Sequence, residues 1–345
     1  MRQIERRPFD EDGNGMEQRH IASTGRSASV IGIGTWQLGA DWGEVSEDQA
    51  GQVLSAALAE GVTFIDTADV YGDGRSERLV GAFAAAHPDS GLVIATKMGR
   101  RVPQVRENYT AEAMRQWNDR SRRMLGVDTL DLVQLHCPPT DVLGDPLTWQ
   151  TLRDMVDEAR IRAFGASVET CEQALLAMDG GASSIQIILN VMRRKPLEEV
   201  LPAARERGVG IIVRVPLASG LLSGRYSKDT TFAADDHRTY NRHGEAFDVG
   251  ETFSGVPFEV GIEVAQEFSR LCAELGPEGA TPAQVALKWV TQQPGVTTVI
   301  PGARNADQAR ANARSAALPD LSEEFLSALE ELYDQRIRAH VHHRW

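Results

Sequence analysis

The chain has 345 residues, 42% of them hydrophobic and 25% charged, with 36 Lys and Arg against 49 Asp and Glu for a net charge of −13. No apolar run approaches the ~18–20 residues needed to cross a bilayer, the opening MRQIERRPFDEDGNG lacks an apolar signal core, and the acidic balance disfavours charge-driven nucleic-acid binding. Three widely spaced cysteines, Cys137, Cys171 and Cys272, follow no metal-ligand pattern and point to a reducing compartment, so the expectation is a cytoplasmic protein with no membrane, nucleic-acid or metal partner.

Residues 1–16 are polar and aperiodic and read as a mobile arm. The chain then alternates short aliphatic runs with segments of helical spacing. The runs are Val30–Gly34, Thr63–Asp66, Leu92–Lys97, Leu130–Leu135, Ala163–Ser167, Ile185–Asn190, Ile211–Val215 and Thr298–Pro301. Each is apolar at nearly every position, the pattern of parallel strands covered on both faces. Ser46-Glu47-Asp48-Gln49 reads as a capping box opening a helix, and Thr281-Pro282-Ala283-Gln284 adds proline at the first helical position. Leu54, Ala57 and Leu58, then Leu79, Phe83 and Ala84, form amphipathic stripes. The long irregular stretch 218–261 follows the seventh run and carries His237, Tyr240 and His243. A last helix spans about Ser322–Arg336, with Leu326, Leu329 and Leu332 on one face, and residues 337–345 form a tail. Its histidines have the wrong spacing for a metal site; the expectation is that it folds over a cofactor or a neighbouring subunit.

Eight strand signals separated by helices fit a closed (β/α)8 barrel over residues 17–336, a single domain, better than an open doubly wound sheet. The string Gly32-Ile33-Gly34-Thr35-Trp36-Gln37-Leu38-Gly39 has its third glycine two positions late for a Rossmann fingerprint and no acidic ribose ligand at the expected distance. In a barrel the site lies at the carboxyl ends of the strands. There the second run ends at Asp66 and leads to Tyr71, the third ends at Lys97, and the fourth is followed by His136. Lys97 is one of only four lysines among 36 basic residues, and a compact ammonium suits a buried partnership with a phenol better than a guanidinium does. An ammonium beside a tyrosine stabilises the phenolate and lowers its pKa from ~10, and a carboxylate keeps that ammonium charged. His136 could orient a carbonyl oxygen. Taken singly, Lys97 reads equally as a partly exposed strand-end lysine and Asp66 as a turn cap, while a lone His136 is more often a core histidine.

Together, Phe64-Ile65-Asp66-Thr67-Ala68-Asp69-Val70-Tyr71-Gly72, Ala95-Thr96-Lys97 and Leu135-His136-Cys137-Pro138 resemble the aldo-keto reductase superfamily from about Met16 to the last helix. The resemblance implies a (β/α)8 barrel with Asp66, Tyr71, Lys97 and His136 as the catalytic tetrad and NADP(H) as cofactor. It also implies a small-molecule aldehyde or ketone as substrate, reduced reversibly by hydride transfer with Tyr71 as general acid. Gly34, Thr35 and Trp36, with Asp66, would border the nicotinamide end. Ser167 and Gln186 are similar to the carboxamide ligands, and Asn190 either brackets the sixth strand as in the family or simply forms a turn. The segment from Pro216 to Arg225 resembles the pyrophosphate-facing loop, implying contacts from Pro216, Leu217, Ser219, Gly220, Leu222, Gly224 and Arg225. Arg214 just before it is read as pointing inward. Gly302 and Arg304 match the element that holds the adenosine 2′-phosphate at a helix amino terminus, with Gln308 and Asn312 facing adenine. Taken alone, that element reads equally as an ordinary capped surface helix.

One departure stands out. Many relatives carry Ser-Asn after the fifth strand, whereas this chain reads Ser167-Val168, which removes one side-chain amide. Cys137 reads as an apolar filler, and Trp36, Trp42 and the stretch 218–261 as pocket walls. A second function consistent with the resemblance is an NADP-binding regulatory subunit on the same barrel with slow or vestigial turnover; a third is another phosphate-binding barrel enzyme such as a lyase. Homo-oligomerisation is left open.

Overall fold

The computed structural model describes residues 15–21, 24–39 and 45–345. All but the last two residues of the expected arm, and the pocket role expected of Trp42, lie outside them. The eight expected strands all form. They are β3 (Ile33–Gly34), β4 (Phe64–Asp66), β5 (Val93–Met98), β6 (Leu130–His136), β7 (Ile161–Ser167), β8 (Ser184–Ile188), β9 (Gly210–Arg214) and β10 (Val296–Val299). They pair in parallel in sequence order. Closure comes from the segment around Ile31 and Gly34, which bridges to Val299 and Gly302, with Gly32 N donating to the Val299 carbonyl at 2.8 Å. Helices cover the outside, and the apolar layer between strands and helices forms the larger core.

The interior of the barrel is a separate packed cluster containing Phe64, Val93, Ala95, Leu132, Ala163, Ile212 and Ile300. Its remaining members, Ile21 and Ala28, come from an antiparallel hairpin that the sequence reading did not anticipate, β1 (Gln18–Ile21) with β2 (Arg26–Ser29). Each of these four-residue strands sends a single apolar residue into the barrel, too little for a period-2 pattern to register. Polar bonds tie the hairpin to the strand beginnings: Thr63 N to Ser29 Oγ at 2.9 Å, Thr298 Oγ1 to the Ser29 carbonyl at 2.8 Å and Arg26 to Asp131 at 3.0 Å.

Helix starts follow the sequence signals. Ser46 Oγ accepts from Gln49 N at 3.1 Å to open the helix Glu47–Ala59, one half of the expected capping box, and the full Thr281–Gln284 capping box opens Pro282–Gln292 with proline in its first turn. The helix Glu323–Arg336, capped by Ser322, buries Phe325, Leu329, Leu332 and Tyr333. One expectation needs revision. The stretch expected to be irregular over 218–261 is built of short helical turns (Ala218–Ser223, His237–Tyr240, Val249–Glu251, Phe253–Gly255) and gives way at Phe258 to the helix Phe258–Leu275. The tail packs on its own chain, and none of residues 337–345 lines the cavity at the barrel mouth. Trp345 packs on the chain's own segment 248–255: its indole N–H donates to Asp248 Oδ1 at 3.1 Å and its ring lies 3.9 Å from the Arg193 guanidinium. A Cβ on Gly255 would approach that ring to 2.3 Å, so glycine there makes the slot.

Candidate active site

Strand register sets the level of the site. Gly34 pairs with Asp66, Lys97 with Gln134, His136 with Ser167 and Ser167 with Gln186, so residues distant in sequence meet at one end of the barrel. Asp66, Lys97 and His136 are 2%, 1% and 4% exposed. The Lys97 ammonium donates to Asp66 Oδ2 at 2.6 Å, to the Thr67 carbonyl at 2.9 Å and to Tyr71 Oη at 3.2 Å, which uses all three of its protons. The other oxygen of Asp66 accepts from Gln186 Nε2 at 2.7 Å and Gln134 Nε2 at 3.3 Å. Tyr71 and His136 both line a cavity of about 540 Å³, ring centroids 5.9 Å apart and edge to face.

Tyr71 is held there by backbone geometry. After it the chain turns sharply through Gly72, Asp73 and Gly74, all at positive φ. Gly72 runs against the turn Trp36–Gly39 so closely that a Cβ on it would lie 2.0 Å from the Gly39 carbonyl oxygen. Only glycine permits that approach, and it brings Trp36 over Tyr71 in a stacked pair with centroids 6.2 Å apart. Beneath them a buried hydroxyl chain runs from Thr67 to Ser76 (2.9 Å), on to Thr35 (2.8 Å) and to the Asp66 carbonyl (2.9 Å).

The electrostatics differ in one respect from expectation. Lys97 does pull the Tyr71 phenol down, but burial is the larger effect and Asp66 adds to it, so the phenol sits above its ordinary value rather than below. Lys97 itself is raised: burial opposes its charge, and Asp66 and Tyr71 together outweigh burial. His136 is held well below its usual range by burial and then by Arg100, Lys97 and Arg214, so it is neutral. Its Nδ1 has no hydrogen-bond partner although the ring is buried. The resting site thus combines a protonated phenol, a neutral imidazole and a charged ammonium.

The sequence reading missed three polar contributors. Gln134 was visible as the one amide in an apolar strand. Arg100, three residues past Lys97, and Glu251, in the segment after β9, gave no signal. Arg100 bonds Glu251 at 3.1 Å, and Arg214, which does point inward, pairs with Glu169 at 2.8 Å and reaches Glu251 at 3.7 Å. Despite burial, Arg100 and Arg214 bring Glu251 down to about 2, whereas burial pushes its neighbour Glu169 up. Cys137, Glu169 and Glu251 place donor atoms within 4.8 Å of one another. The thiol is pushed up to about 12, first by burial, and both carboxylates already face guanidinium groups, a poor donor set for a cation. Three non-glycine residues lining the cavity, Cys137, Val215 and Ser219, hold left-handed backbone, a conformation that costs about 1–3 kcal/mol and clusters at ligand sites.

Of the residues assigned to a cofactor, Gly34, Thr35, Trp36, Asp66, Ser167, Gln186, Pro216, Leu217, Ser219, Gly220, Gly302, Arg304 and Gln308 line this one cavity. It runs from the barrel mouth to the start of the helix Ala306–Arg314, whose amino end is capped by Asn305. Leu222, Gly224, Arg225 and Asn312 do not line it. Leu222 is fully buried in the core, and Gly224 closes the turn Ala218–Ser223 at φ +70. Arg225 is exposed beyond that turn, and Asn312 donates to the Gly302 carbonyl at 3.2 Å, one contact behind the wall. Asn190 forms a turn, accepting from Met192 N at 2.8 Å and donating to Ser254 Oγ at 2.7 Å. Asp236 lies 4.0 Å from Arg304, and His237 lies 5.2 Å from the Trp36 ring, so the segment after β9 roofs the cavity.

Among the described residues, no helix is long and apolar enough to cross a membrane. The model of the Aldo/keto reductase family matches residues 30–334. Aldo-keto reductase YhdN of Bacillus subtilis (strain 168) is 30% identical over 306 residues, covering 86% of this chain and 87% of its own length. Among solved structures, a glycerol dehydrogenase from Gluconobacter oxydans matches with a TM-score of 0.76 at 27% identity, covering 93% of this chain and 96% of that one. An aldo/keto reductase from Klebsiella pneumoniae in complex with NADP and acetate matches with a TM-score of 0.67 at 25% identity, over 90% and 93% of the two chains.

Proposed function

The chain belongs to the aldo/keto reductase family, and from that membership we propose that it is an NADP(H)-dependent oxidoreductase whose barrel reduces an aldehyde or ketone to an alcohol, reversibly. One observation carries the reading: a single buried ammonium, Lys97, bonds both Asp66 and the phenol of Tyr71, and that phenol opens on the cavity beside His136. A nucleotide role needs no such relay, and this supports turnover over a purely regulatory barrel.

The residues present fit the cofactor. The cavity ends at a helix amino terminus preceded by Arg304, with Gly302 so closely packed that a Cβ would meet the Gln37 amide at 2.1 Å. Free N–H groups and the helix dipole favour a phosphate there. Arg304 and Gln308 would hold the adenosine end, Pro216 to Gly220 the middle, and Gly34 to Trp36, Ser167 and Gln186 the nicotinamide end. Bound NADPH supplies the hydride. The protein supplies the proton: Tyr71 donates it to the carbonyl oxygen, and Lys97, fixed by Asp66, stabilises the phenolate left behind. Neutral His136 orients that oxygen through a ring N–H.

Two outcomes follow. Replacing Arg304 with alanine is expected to weaken NADPH binding about 10–100-fold, the worth of charge-assisted phosphate bonds, and to leave NADH binding unchanged, as read by fluorescence titration. A preference for NADPH that survives the substitution removes Arg304 from the phosphate site. The pH profile of reduction should be flat from about pH 6 to 9. His136, lowered, is already neutral throughout; Tyr71, raised, keeps its proton and loses it only above its ordinary range. An inflection near pH 6.5 in kcat/KM, the ordinary range of histidine, would show that His136 titrates and contradict this picture.

A further inference from the structure

Beyond Tyr71 the cavity wall is polar in a way that proton donation alone does not require. Arg100 gives Nη1 and Nη2 to one oxygen of Glu251 at 3.1 and 3.2 Å, and both residues line the cavity. Aromatic contacts join this pair to the reacting groups. Tyr71 stacks with Trp36 at 6.2 Å, Trp36 meets Phe247 edge-on at 6.0 Å, and the Arg100 guanidinium lies 5.3 Å from the Phe247 ring. Trp36, Phe247 and Arg100 all line the same cavity as Tyr71. Arg100 and His136 line the same cavity, and after burial Arg100 is the first of the charges that hold the imidazole neutral.

We propose that the Arg100–Glu251 pair reads the substrate, and that the preferred substrate is a small, uncharged carbonyl compound with a hydroxyl on the carbon next to the carbonyl. This deepens the carbonyl-reductase reading and rests on it. A hydroxyl both donates and accepts, and the pair offers it guanidinium N–H groups on one side and carboxylate lone pairs on the other. The C–H face of such a molecule is covered by Trp36 and Phe247. Glu251 keeps its negative charge at neutral pH and already engages Arg100, so the pair has no unpaired cation to offer a carboxylate or phosphate on the substrate. A plain alkyl substituent would bury the pair against nothing that bonds it.

The test compares kcat/KM for hydroxyacetone, 2-butanone and pyruvate with NADPH, with 4-nitrobenzaldehyde as a general carbonyl probe, in the wild-type enzyme and in Arg100→Met and Glu251→Gln. The glutamine variant keeps the side-chain volume should Arg100→Met fail to fold. The wild type should prefer hydroxyacetone over 2-butanone by at least about 30-fold and over pyruvate by at least about tenfold, the scale on which a site built for a hydroxyl rejects a molecule lacking it. In either variant the first ratio should fall below about threefold. Equal rates on hydroxyacetone and 2-butanone, a preference for pyruvate, or a ratio unmoved by both substitutions overturns the inference and leaves the reductase reading standing. Failure to oxidise NADPH with any of the four compounds, in protein that binds NADPH, overturns the reductase reading and this inference with it.

Discussion

Tyr71→Phe is expected to lower kcat/KM for carbonyl reduction by about 10²–10⁴-fold, the contribution of a positioned general acid, while the Kd for NADPH changes less than about threefold. The only hydrogen bond described for Tyr71 Oη is the one from Lys97, so the substitution removes the transferable proton and little else. The phenylalanine ring can keep the stacking on Trp36 and the edge contact with His136, and the cavity keeps its shape. Single-turnover measurement separates hydride transfer from product release. Wild-type turnover in this variant would move the acid to another group, and His136 would be the first to examine.

Lys97→Met is expected to act on both activity and stability. The side chain is 1% exposed and its partner Asp66 2%, and breaking a buried ion pair from one side destabilises by about 3–5 kcal/mol because the remaining charge is left uncompensated. Asp66 would then rely on Gln134 and Gln186 alone. Equilibrium denaturation in urea reads the loss. The double variant Lys97→Met/Asp66→Asn should recover a good part of that stability and none of the turnover, since the neutral amide no longer needs the ammonium but Tyr71 still does. Lys97 is also the group that most lowers the phenol against burial; without it the tyrosine rises further and becomes a still weaker donor. A Lys97→Met enzyme as stable as wild type would show that the pair is solvated in solution.

The strand ends were legible because a parallel strand buried on both faces leaves a continuous apolar run, and Asp66, Lys97 and His136 interrupt such runs or end them. Their meeting point was legible only through barrel closure, which turns successive strand ends into neighbours. Gln134 announced itself as an amide in an apolar strand, but its bond to Asp66 depends on register. The Arg100–Glu251 pair left no trace, since 151 positions separate two residues of types common on any surface. The direction of the Tyr71 shift was misread for a related reason: sequence shows which charge can reach the phenol, not how much water it loses. Leu222 and Gly224 were grouped with the phosphate-facing residues because they share a small-residue segment, yet the backbone turn at Ser219 and Gly220 sends them into the core or away from the cavity.

The hairpin of β1 and β2 places the earliest-made described residues against some of the latest. Arg19 donates to the Val296 carbonyl at 2.6 Å across 277 positions, and Thr298 bonds Ser29 across 269. During synthesis these partners are absent until residues 296–298 have left the ribosome, so Ile21 and Ala28 wait without their plug site while seven strands assemble. Contacts of such span slow folding. A nascent chain arrested before residue 296 should therefore leave the barrel floor open and prone to proteolysis, and extension through residues 296–345 should seal it.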